Sequence, residues 1–439
     1  MRIPFNYILV LLFVFLIAHS SIHAQLYSLQ TKDLRLIYYT KAHEFVVPHL
    51  ARCFENSLRF HERLFQYTPS EEVTILLQDF GDYGHGGADI VPMNHIDVGL
   101  EPFNYVYEVM PANERMNWLM NHELVHIVAC DKASDNDQLY RSLFHGKVSA
   151  TSEAPLSMLY TYLTAPRRYS PRWYHEGIAV FMETWMAGGL GRVLGGYDEM
   201  VFRTMVHDSS TIYDAVGLES EGTTIDFQVG ANSYLYGTRF VSYLANMYGP
   251  EKLLAWISRT NDSKKYFASQ FQYVYGISLG DEWSKWIGWE HDWQHANLDS
   301  IRRYPITPYR GITTEALGSV SRGFFDPAGR KLYAAVRYPG RISTISGIDA
   351  DTGSLRDICE VKGAALYYVS SLAYDPSDQS IFYTTDNNKL RDLNVVDCNT
   401  ARSRMLIKDA RVGDLAFNRS DRSLWGIRHD LGFSTIVRI

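Results

Sequence analysis

The last third of the chain repeats itself, and this repetition limits the possible folds more than any other feature of the sequence. Three segments share an aromatic residue, an Asp or Asn turn and a following apolar strand: FFDPAGRKLYAAV from 324, AYDPSDQSIFYTT from 373 and AFNRSDRSLWGIR from 416. Their starts are 49 and 43 residues apart, a period typical of β-propeller blades. Propellers have at least about four blades and only about two and a half are present here, so we expect a partial propeller and the N-terminal portion of a longer protein.

The chain before these repeats has a different character. From Leu26 to about Trp293 it mixes helix-period stretches with a few strands, and the segment RRYPITPYRG from 302 marks the change. We therefore predict a multidomain chain, α+β first and all-β second. The predicted parts are a signal segment at 1–24, an α+β domain at 25–300, a linker at 301–312 and propeller blades at 313–439.

The N-terminus has the pattern of a secretory signal. Arg2 precedes an apolar run from Tyr7 to Ala18, and a polar stretch ends at Ala24, after which we predict cleavage. The run is about 12 residues long, short of the roughly 20 that cross a bilayer, so a cleaved signal is favoured over a retained anchor. The mature protein, without a transmembrane segment, is predicted to be periplasmic, extracellular or in the cell envelope.

Charge and cysteine content narrow the partners and the covalent structure. Without Arg2, 41 of the 42 Lys and Arg residues remain against 49 Asp and Glu residues, and there is no basic run, so nucleic acid is not an expected partner. Four cysteines cannot form a disulfide scaffold in a chain of this length. Export permits a bridge, and Cys359 with Cys398 is the pair whose placement suggests one, although spacing does not decide the pairing.

The α+β part begins with a predicted helix and two predicted strands. The helix is indicated by residues that recur every three or four positions: Val46, Leu50, Cys53, Phe54, Ser57, Leu58, His61 and Phe65. Residues 71–80 form a predicted buried strand. Residues 88–100 contain the second, in which Pro92 indicates an edge strand or a bulge, because proline cannot donate to a sheet ladder. An exposed edge of this kind can hold an extended peptide by strand addition.

The segment NHELVHIV at 121–128 carries the chemistry of greatest interest. On a helix, His122 and His126 stand one turn apart on the same face, so both imidazoles can reach one metal ion. Glu123 lies beside them, where it can take a proton from water. A second predicted helix, PRWYHEGIAVFMETW at 171–185, places Glu176 and Glu183 on one face.

These two helices resemble the gluzincin zinc metallopeptidases, the superfamily that contains thermolysin and the aminopeptidase N family. The resemblance rests on H-E-x-x-H followed by W-x-x-E-G-x-A-x-x-x-E, and it covers roughly residues 30–290. Within this superfamily, the sequence is most similar to exported proteins with a peptidase MA-like domain. It implies a thermolysin-like zincin fold and Zn²⁺ as the cofactor. It also implies His122, His126 and Glu176 as ligands, Glu123 as general base and Glu183 as a partner that orients a liganding imidazole.

Two departures from the family affect the details. SYLYGTRFVSYL resembles the P-Y-x-x-G element that would make Tyr234 the oxyanion donor, but Ser233 replaces the proline. Between His126 and Glu176 there are 49 residues, against 18 in the aminopeptidases, and the extra segment at about 130–170 contains APLSMLYTYL, a predicted helix over the cleft. Since surface insertions cost little, this length does not forbid the site.

Other residues have simpler interpretations. Cys130 continues the face of His122 and His126 but is expected to be a small buried thiol. We expect His175 to point away from the metal site, and HDWQH at 291–295 to be a polar helix terminus rather than a second metal motif. For Tyr234, the alternative to the oxyanion role is that of a core or cleft aromatic.

The favoured function is an exported zinc peptidase whose propeller region binds substrate or a partner protein. An endopeptidase is favoured over an aminopeptidase because GADIVPMN, the loose counterpart of the aminopeptidases' G-A-M-E-N segment, lacks the glutamate that holds a free amino terminus. Two alternatives remain open: a cell-envelope binding or assembly protein with a vestigial metal site, and a zinc hydrolase of a non-peptide amide.

Overall fold

A computed structural model describes most of the chain after residue 25. The described residues are 26–82, 84–101, 114–189, 191–193, 195–219, 231–314, 316–338, 341–361, 372–387 and 390–439. The predicted signal segment at 1–24 lies outside these residues. Among the described residues, no helix is long and apolar enough to cross a membrane.

A five-stranded sheet forms one side of the first part of the chain. Its strands are β1 (Tyr27–Gln30), β2 (Leu34–Tyr38), β3 (Val73–Gln78), β4 (Gly86–Asp89) and β5 (His95–Gly99). The spatial order is β1-β2-β3-β5-β4; β2, β3 and β5 are parallel, and the two outer strands are antiparallel to their neighbours. Helix α1 (Val47–Phe65) packs on this sheet with the predicted face buried, although it begins one residue after the predicted Val46.

The predicted second strand forms only in part, as β5 within residues 88–100. Residues 88–100 do not form one strand, because Pro92 lies in the connection between β4 and β5 rather than within a strand. The edge strand is β4, which starts in the glycine-rich segment and is the last strand of the sheet. Met93, one of the apolar residues that suggested the strand, is half exposed in that connection.

The remaining part before residue 302 is helical. The helices are α2 (Arg115–Asp131), α3 (Asp135–Leu143), α4 (Leu156–Thr164), α5 (Arg172–Met186), α6 (Gly196–His207), α7 (Ala231–Tyr248), α8 (Pro250–Ile257), α9 (Phe267–Tyr275) and α10 (Leu279–Ile301), with short 3-10 turns at Lys41–Phe45 and Pro166–Tyr169 and a helical turn at Ala215–Gly217. One continuous apolar core joins these helices to the sheet. Helices α5 and α7 touch at their backbones, since a Cβ built on Gly177 would lie 2.4 Å from the carbonyl oxygen of Gly237.

The insertion after α2 is anchored by a buried carboxylate. Asp131, the last residue of α2, accepts hydrogen bonds from Arg141 Nη1 at 3.1 Å, Lys147 Nζ at 2.9 Å and the backbone N–H of Ser70 at 2.7 Å. Burial raises the pKa of Asp131, but Lys147 and Arg141 outweigh it and lower the pKa to about 2. The predicted helix in this segment forms as α4, and its Leu156, Met158 and Leu159 side chains are largely exposed.

The part after residue 318 consists of three antiparallel sheets. The first contains β6 (Ser319–Val320), β7 (Phe324–Asp326), β8 (Lys331–Arg337), β9 (Thr344–Asp349) and β10 (Leu355–Glu360). The second contains β11 (Leu372–Asp375), β12 (Ser380–Asn387), β13 (Leu390–Asp397) and β14 (Ser403–Ile407), and the third β15 (Val412–Asn418), β16 (Ser423–Asp430) and β17 (Phe433–Arg438). The described strands form no closed ring, and the predicted boundary at 301–312 stays a prediction.

The sequence repeat has a specific structural cause. Asp326, Asp375 and Asn418 end the first strand of the repeated hairpin, and each accepts a hydrogen bond from the backbone N–H two residues later, at 3.1, 2.8 and 3.0 Å. Short polar side chains stabilise turns in this way. The aromatic and Asp or Asn signature therefore marks the same hairpin in all three sheets.

The third sheet contacts the first part of the chain through an arginine. Arg411 donates to Asp79 and Asp82, both at 2.8 Å, in the loop that follows β3. Phe433 stacks on Phe45 with ring centroids 4.4 Å apart. The bridge considered for Cys359 and Cys398 is not formed, since all four cysteines are free thiols.

Candidate metal centre

Helices α2 and α5 bring three predicted ligands together. The Nε2 atoms of His122 and His126 are 3.3 Å apart. Glu176 on α5 places its Oε2 atom 3.3 Å from His122 Nε2 and 3.6 Å from His126 Nε2. These atoms, which are separated by up to 54 positions along the chain, therefore converge on one point.

The spacing of the three atoms fits a tetrahedral zinc ion. Metal–ligand distances of about 2.0–2.1 Å with tetrahedral angles place nitrogen and oxygen donors about 3.3 Å from one another. The observed separations of 3.3 to 3.6 Å match this value. Two imidazoles and one carboxylate are also a ligand set of catalytic zinc sites, in which a fourth position is open to water.

The general-base candidate lies beneath the edge strand. Glu123 is buried on α2, and a Cβ built on Gly86 of β4 would lie only 2.5 Å from its Oε1 atom. Burial raises the pKa of Glu123, against the opposing effect of His122 and His126. The strand thus passes directly over this carboxylate, and glycine makes the close approach possible.

The ring of His122 is fixed from its other side. Glu183 Oε2 lies 2.7 Å from His122 Nδ1. Glu183 is itself held by Arg192, whose Nε atom is 2.8 Å from Oε1 and whose Nη2 atom is 3.1 Å from Oε2. Burial raises the pKa of Glu183, but Arg192 and His122 outweigh it and lower the pKa. A carboxylate on Nδ1 leaves Nε2 of the imidazole available to a cation.

Sequence reasoning missed Arg192. It follows α5 in a glycine-rich segment without periodicity, and nothing in its spacing from Glu183 indicates a contact. Besides binding Glu183, its guanidinium lies 5.1 Å from the ring centre of Trp118 and 5.4 Å from that of Tyr234. A carboxylate predicted to orient a histidine is the one available signal that a cation should lie nearby.

Tyr234 lies beside the candidate centre. The tyrosine, on α7, stacks on His122 with ring centroids 6.2 Å apart, and the Arg172 guanidinium lies 5.5 Å from its ring centre. Its role as oxyanion donor stays a prediction.

The remaining candidates have other environments. Cys130 is buried, with Sγ 3.6 Å from His175 Nδ1, and both line a cavity of about 280 Å³ beside His126 and Glu176. Burial lowers the pKa of His175 to about 4, and the residue is not part of the three-atom cluster. The HDWQH histidines lie within α10 with ring centroids 6.4 Å apart, and no third ligand joins them among the described residues.

Comparison with known proteins gives weak structural likenesses. No protein-family model and no curated protein matches the sequence. An aminopeptidase N family protein from Idiomarina loihiensis matches over 87% of this chain and 68% of its own, with 9% identity and a TM-score of 0.30. TolB from Acinetobacter baumannii matches over 27% of this chain and 29% of its own, with 16% identity and a TM-score of 0.24. A putative TolB from Agrobacterium tumefaciens matches over 29% and 45%, with 15% identity and a TM-score of 0.25.

The chain thus spans less than half the length of the TolB structures that it matches. TM-scores this low do not support any inference about function. The function proposed below therefore rests on the geometry of the side chains.

Proposed function

We propose that the protein is an exported zinc-dependent peptidase. The observation that carries the proposal is the convergence of His122, His126 and Glu176 within 3.3 to 3.6 Å, with Glu123 buried beside them under an edge strand. A bound zinc ion would polarise the substrate carbonyl as a Lewis acid and lower the pKa of water to near neutrality.

Glu123 is the proposed general base and then general acid. Its carboxylate takes the proton from the attacking water and returns it to the leaving amine. Burial raises its pKa, which favours the first transfer, because a carboxylate of raised pKa binds the proton more readily. Nothing in this scheme needs a nucleophilic serine or cysteine.

Strand β4 is the proposed binding edge for an extended peptide. On one side it pairs with β5, and on the other it has no partner strand among the described residues. A substrate strand added to this edge would obtain main-chain hydrogen bonds and pass over Glu123. These hydrogen bonds involve the peptide backbone of the substrate and do not depend on its side chains. Specificity for particular substrate side chains would therefore arise in the cavity beside His126.

The same region favours an endopeptidase over an aminopeptidase. Aminopeptidase activity needs a carboxylate that is available to the substrate's ammonium group. Asp89, the acidic residue of GADIVPMN, is already engaged by the Arg168 guanidinium, with Nε at 3.0 Å and Nη2 at 2.7 Å. The carboxylate is therefore neutralised within the protein, and an internal peptide segment fits the cleft better than a free amino terminus.

Tyr234 is the proposed hydrogen-bond donor to the oxyanion that forms during hydrolysis. Such a donor typically raises the rate by about 10²-fold to 10³-fold. The C-terminal sheets are proposed to bind the protein substrate or a partner protein.

Zinc content and peptide hydrolysis, measured on the same preparations, test the proposal. Wild type should contain about one zinc bound by the His122, His126 and Glu176 cluster and should cleave members of a quenched-fluorescence peptide library. Glu176→Ala should lose this zinc ion and the activity, whereas Glu123→Gln should keep the ion and lose the activity. His295→Ala changes a histidine far from the cluster in sequence and serves as the matched control.

Two results would contradict the proposal. Hydrolysis that persists in a clean Glu123→Gln preparation removes Glu123 from the mechanism. Zinc-loaded wild type without peptide or other amide hydrolysis would favour the envelope-binding alternative, and cleavage of non-peptide amides alone would favour the other hydrolase.

A further inference from the structure

A second group of metal-ligating side chains lies outside the candidate catalytic centre. His49 and Cys53 are one turn apart on α1, and Glu114 caps the N-terminus of α2. His49 Nε2 is 3.0 Å from Glu114 Oε2, while Cys53 Sγ is 3.7 Å from His49 Nε2 and 3.9 Å from Glu114 Oε2. The three atoms therefore form a closed triangle between two helices.

The triangle has nearly the dimensions of a mixed zinc site. Bond lengths of about 2.3 Å to sulfur and about 2.0–2.1 Å to nitrogen and oxygen imply separations of about 3.3 Å between N and O and about 3.5 Å from S to either. The observed distances of 3.0, 3.7 and 3.9 Å differ from these by about 0.4 Å or less, which small side-chain rotations would remove.

Accessibility and charge also suit a cation. The thiol is buried at the base of the triangle, whereas the His49 and Glu114 side chains are 41% and 51% exposed at its rim. An ion pair between His49 and Glu114 accounts for the short N–O distance, and Cys53, on the buried face of α1, places a thiol at the third corner. A thiolate and a carboxylate would balance the charge of a divalent ion, and exposure at the rim leaves space for water as a fourth ligand.

We propose that His49, Cys53 and Glu114 bind a thiophilic divalent metal ion of the Zn²⁺ class. The imidazole and thiolate donors favour such ions over Mg²⁺ and Ca²⁺, which prefer oxygen. Burial and the nearby Glu114 raise the pKa of the Cys53 thiol to about 11, so binding releases this proton at neutral pH. The ion ties α1 to the start of α2, the helix that carries His122 and His126.

Cadmium titration of the zinc-loaded full mature chain tests the assignment, because the softer cadmium ion replaces zinc preferentially at a site with a thiolate ligand. A cadmium–thiolate bond gives an ultraviolet charge-transfer band, and the catalytic candidate cluster contains no sulfur, so the band reports on cysteine ligands alone. Wild type should show the band, saturating at about one added cadmium per chain. Cys53→Ser should lose it, and Cys359→Ser, the matched control at a partly exposed cysteine of the C-terminal sheets, should keep it.

A second variant keeps the test decisive if Cys53→Ser does not fold. His49→Ala changes a half-exposed side chain and should weaken cadmium binding by about 10-fold to 100-fold or more, as expected when a metal site loses a partner. Absence of the band in wild type, a band retained in Cys53→Ser, or unchanged affinity in His49→Ala would each overturn the assignment. Glu176→Ala should keep the band, so failure of the catalytic proposal and failure of this one give different results.

Discussion

Gly86 offers the sharpest test of the geometry around Glu123. A Cβ added at this position would lie 2.5 Å from Glu123 Oε1 and 2.3 Å from Leu119 Cδ1, whereas a Cβ at the neighbouring Gly87 meets nothing within 4 Å. Both glycines belong to β4. Gly86→Ala and Gly87→Ala therefore make the same chemical change in the same strand, and only the first touches the proposed general base.

The size of the effect follows from these distances. Ordinary van der Waals contact starts at 3.4 Å, so Glu123 Oε1 has to retreat by 0.9 Å (3.4 − 2.5) and Leu119 Cδ1 by 1.1 Å (3.4 − 2.3). Both atoms are the ends of flexible side chains, so the fold should survive. A misplacement of about 1 Å in a catalytic group can cost about 10²-fold in rate, or about 2.7 kcal/mol of transition-state stabilisation.

The assay is kcat/KM on a peptide cleaved by wild type, with zinc content and melting temperature measured on the same samples. We expect Gly86→Ala to keep zinc and cooperative unfolding, and to have about 10²-fold lower kcat/KM than Gly87→Ala. Equal values for the two variants would refute the reasoning, because Glu123 could then not act from the position that it occupies beneath β4.

Three further changes have defined outcomes. Gly177→Ala places a Cβ against backbone atoms of α7, which cannot rotate away, so it should lower the free energy of unfolding in urea by about 3 kcal/mol, the upper end of overpacking costs. Arg192→Ala leaves Glu183 less firmly held and should raise the Kd for zinc by about 10-fold to 100-fold in a chelator competition. The pKa of Asp131 is lowered from 3.8 to about 2, so the ionised carboxylate contributes about 2 kcal/mol to the free energy of unfolding above about pH 4. This contribution is lost as the pH falls toward 2. The free energy of unfolding, measured between pH 5 and 2, should therefore fall with pH in wild type, and Asp131→Asn should lack this component of the fall.

The three ligand candidates could be predicted because their signals are local. The spacing of His122 and His126 alone places them on one helix face, and Glu176 lies in the short E-G-x-A motif. The hairpins after residue 318 were predictable for the same reason, since the Asp or Asn that ends the first strand makes its hydrogen bond two residues away.

The contacts that complete the sites are long-range, and this is why sequence reasoning missed them. Arg192 meets Glu183 only after the chain has turned at the end of α5, and Glu114 lies 61 positions from Cys53. Strand β4 was not predicted, because its four residues, GGAD, have neither alternation nor high strand propensity. Its conformation depends on pairing with β5 and on close approach to α2, which are tertiary effects that override local preference.

Helix α2 shows how the fold and the proposed chemistry depend on one another. The helix is buried along most of its length. A buried polar group without a hydrogen-bond partner lowers the free energy of unfolding by about 1–3 kcal/mol. Asn121 is satisfied by His61 at 2.9 Å, and Asp131 by the arginine and lysine of the insertion. At His122, His126 and Glu176, by contrast, the fold directs three potential lone-pair donors at one another within 3.6 Å, an arrangement that a cation or a proton must stabilise. A metal ion at about 100 times its Kd adds about 2.7 kcal/mol to the free energy of unfolding, comparable with the cost of one such group, so the proposed zinc site would support the helix that presents it.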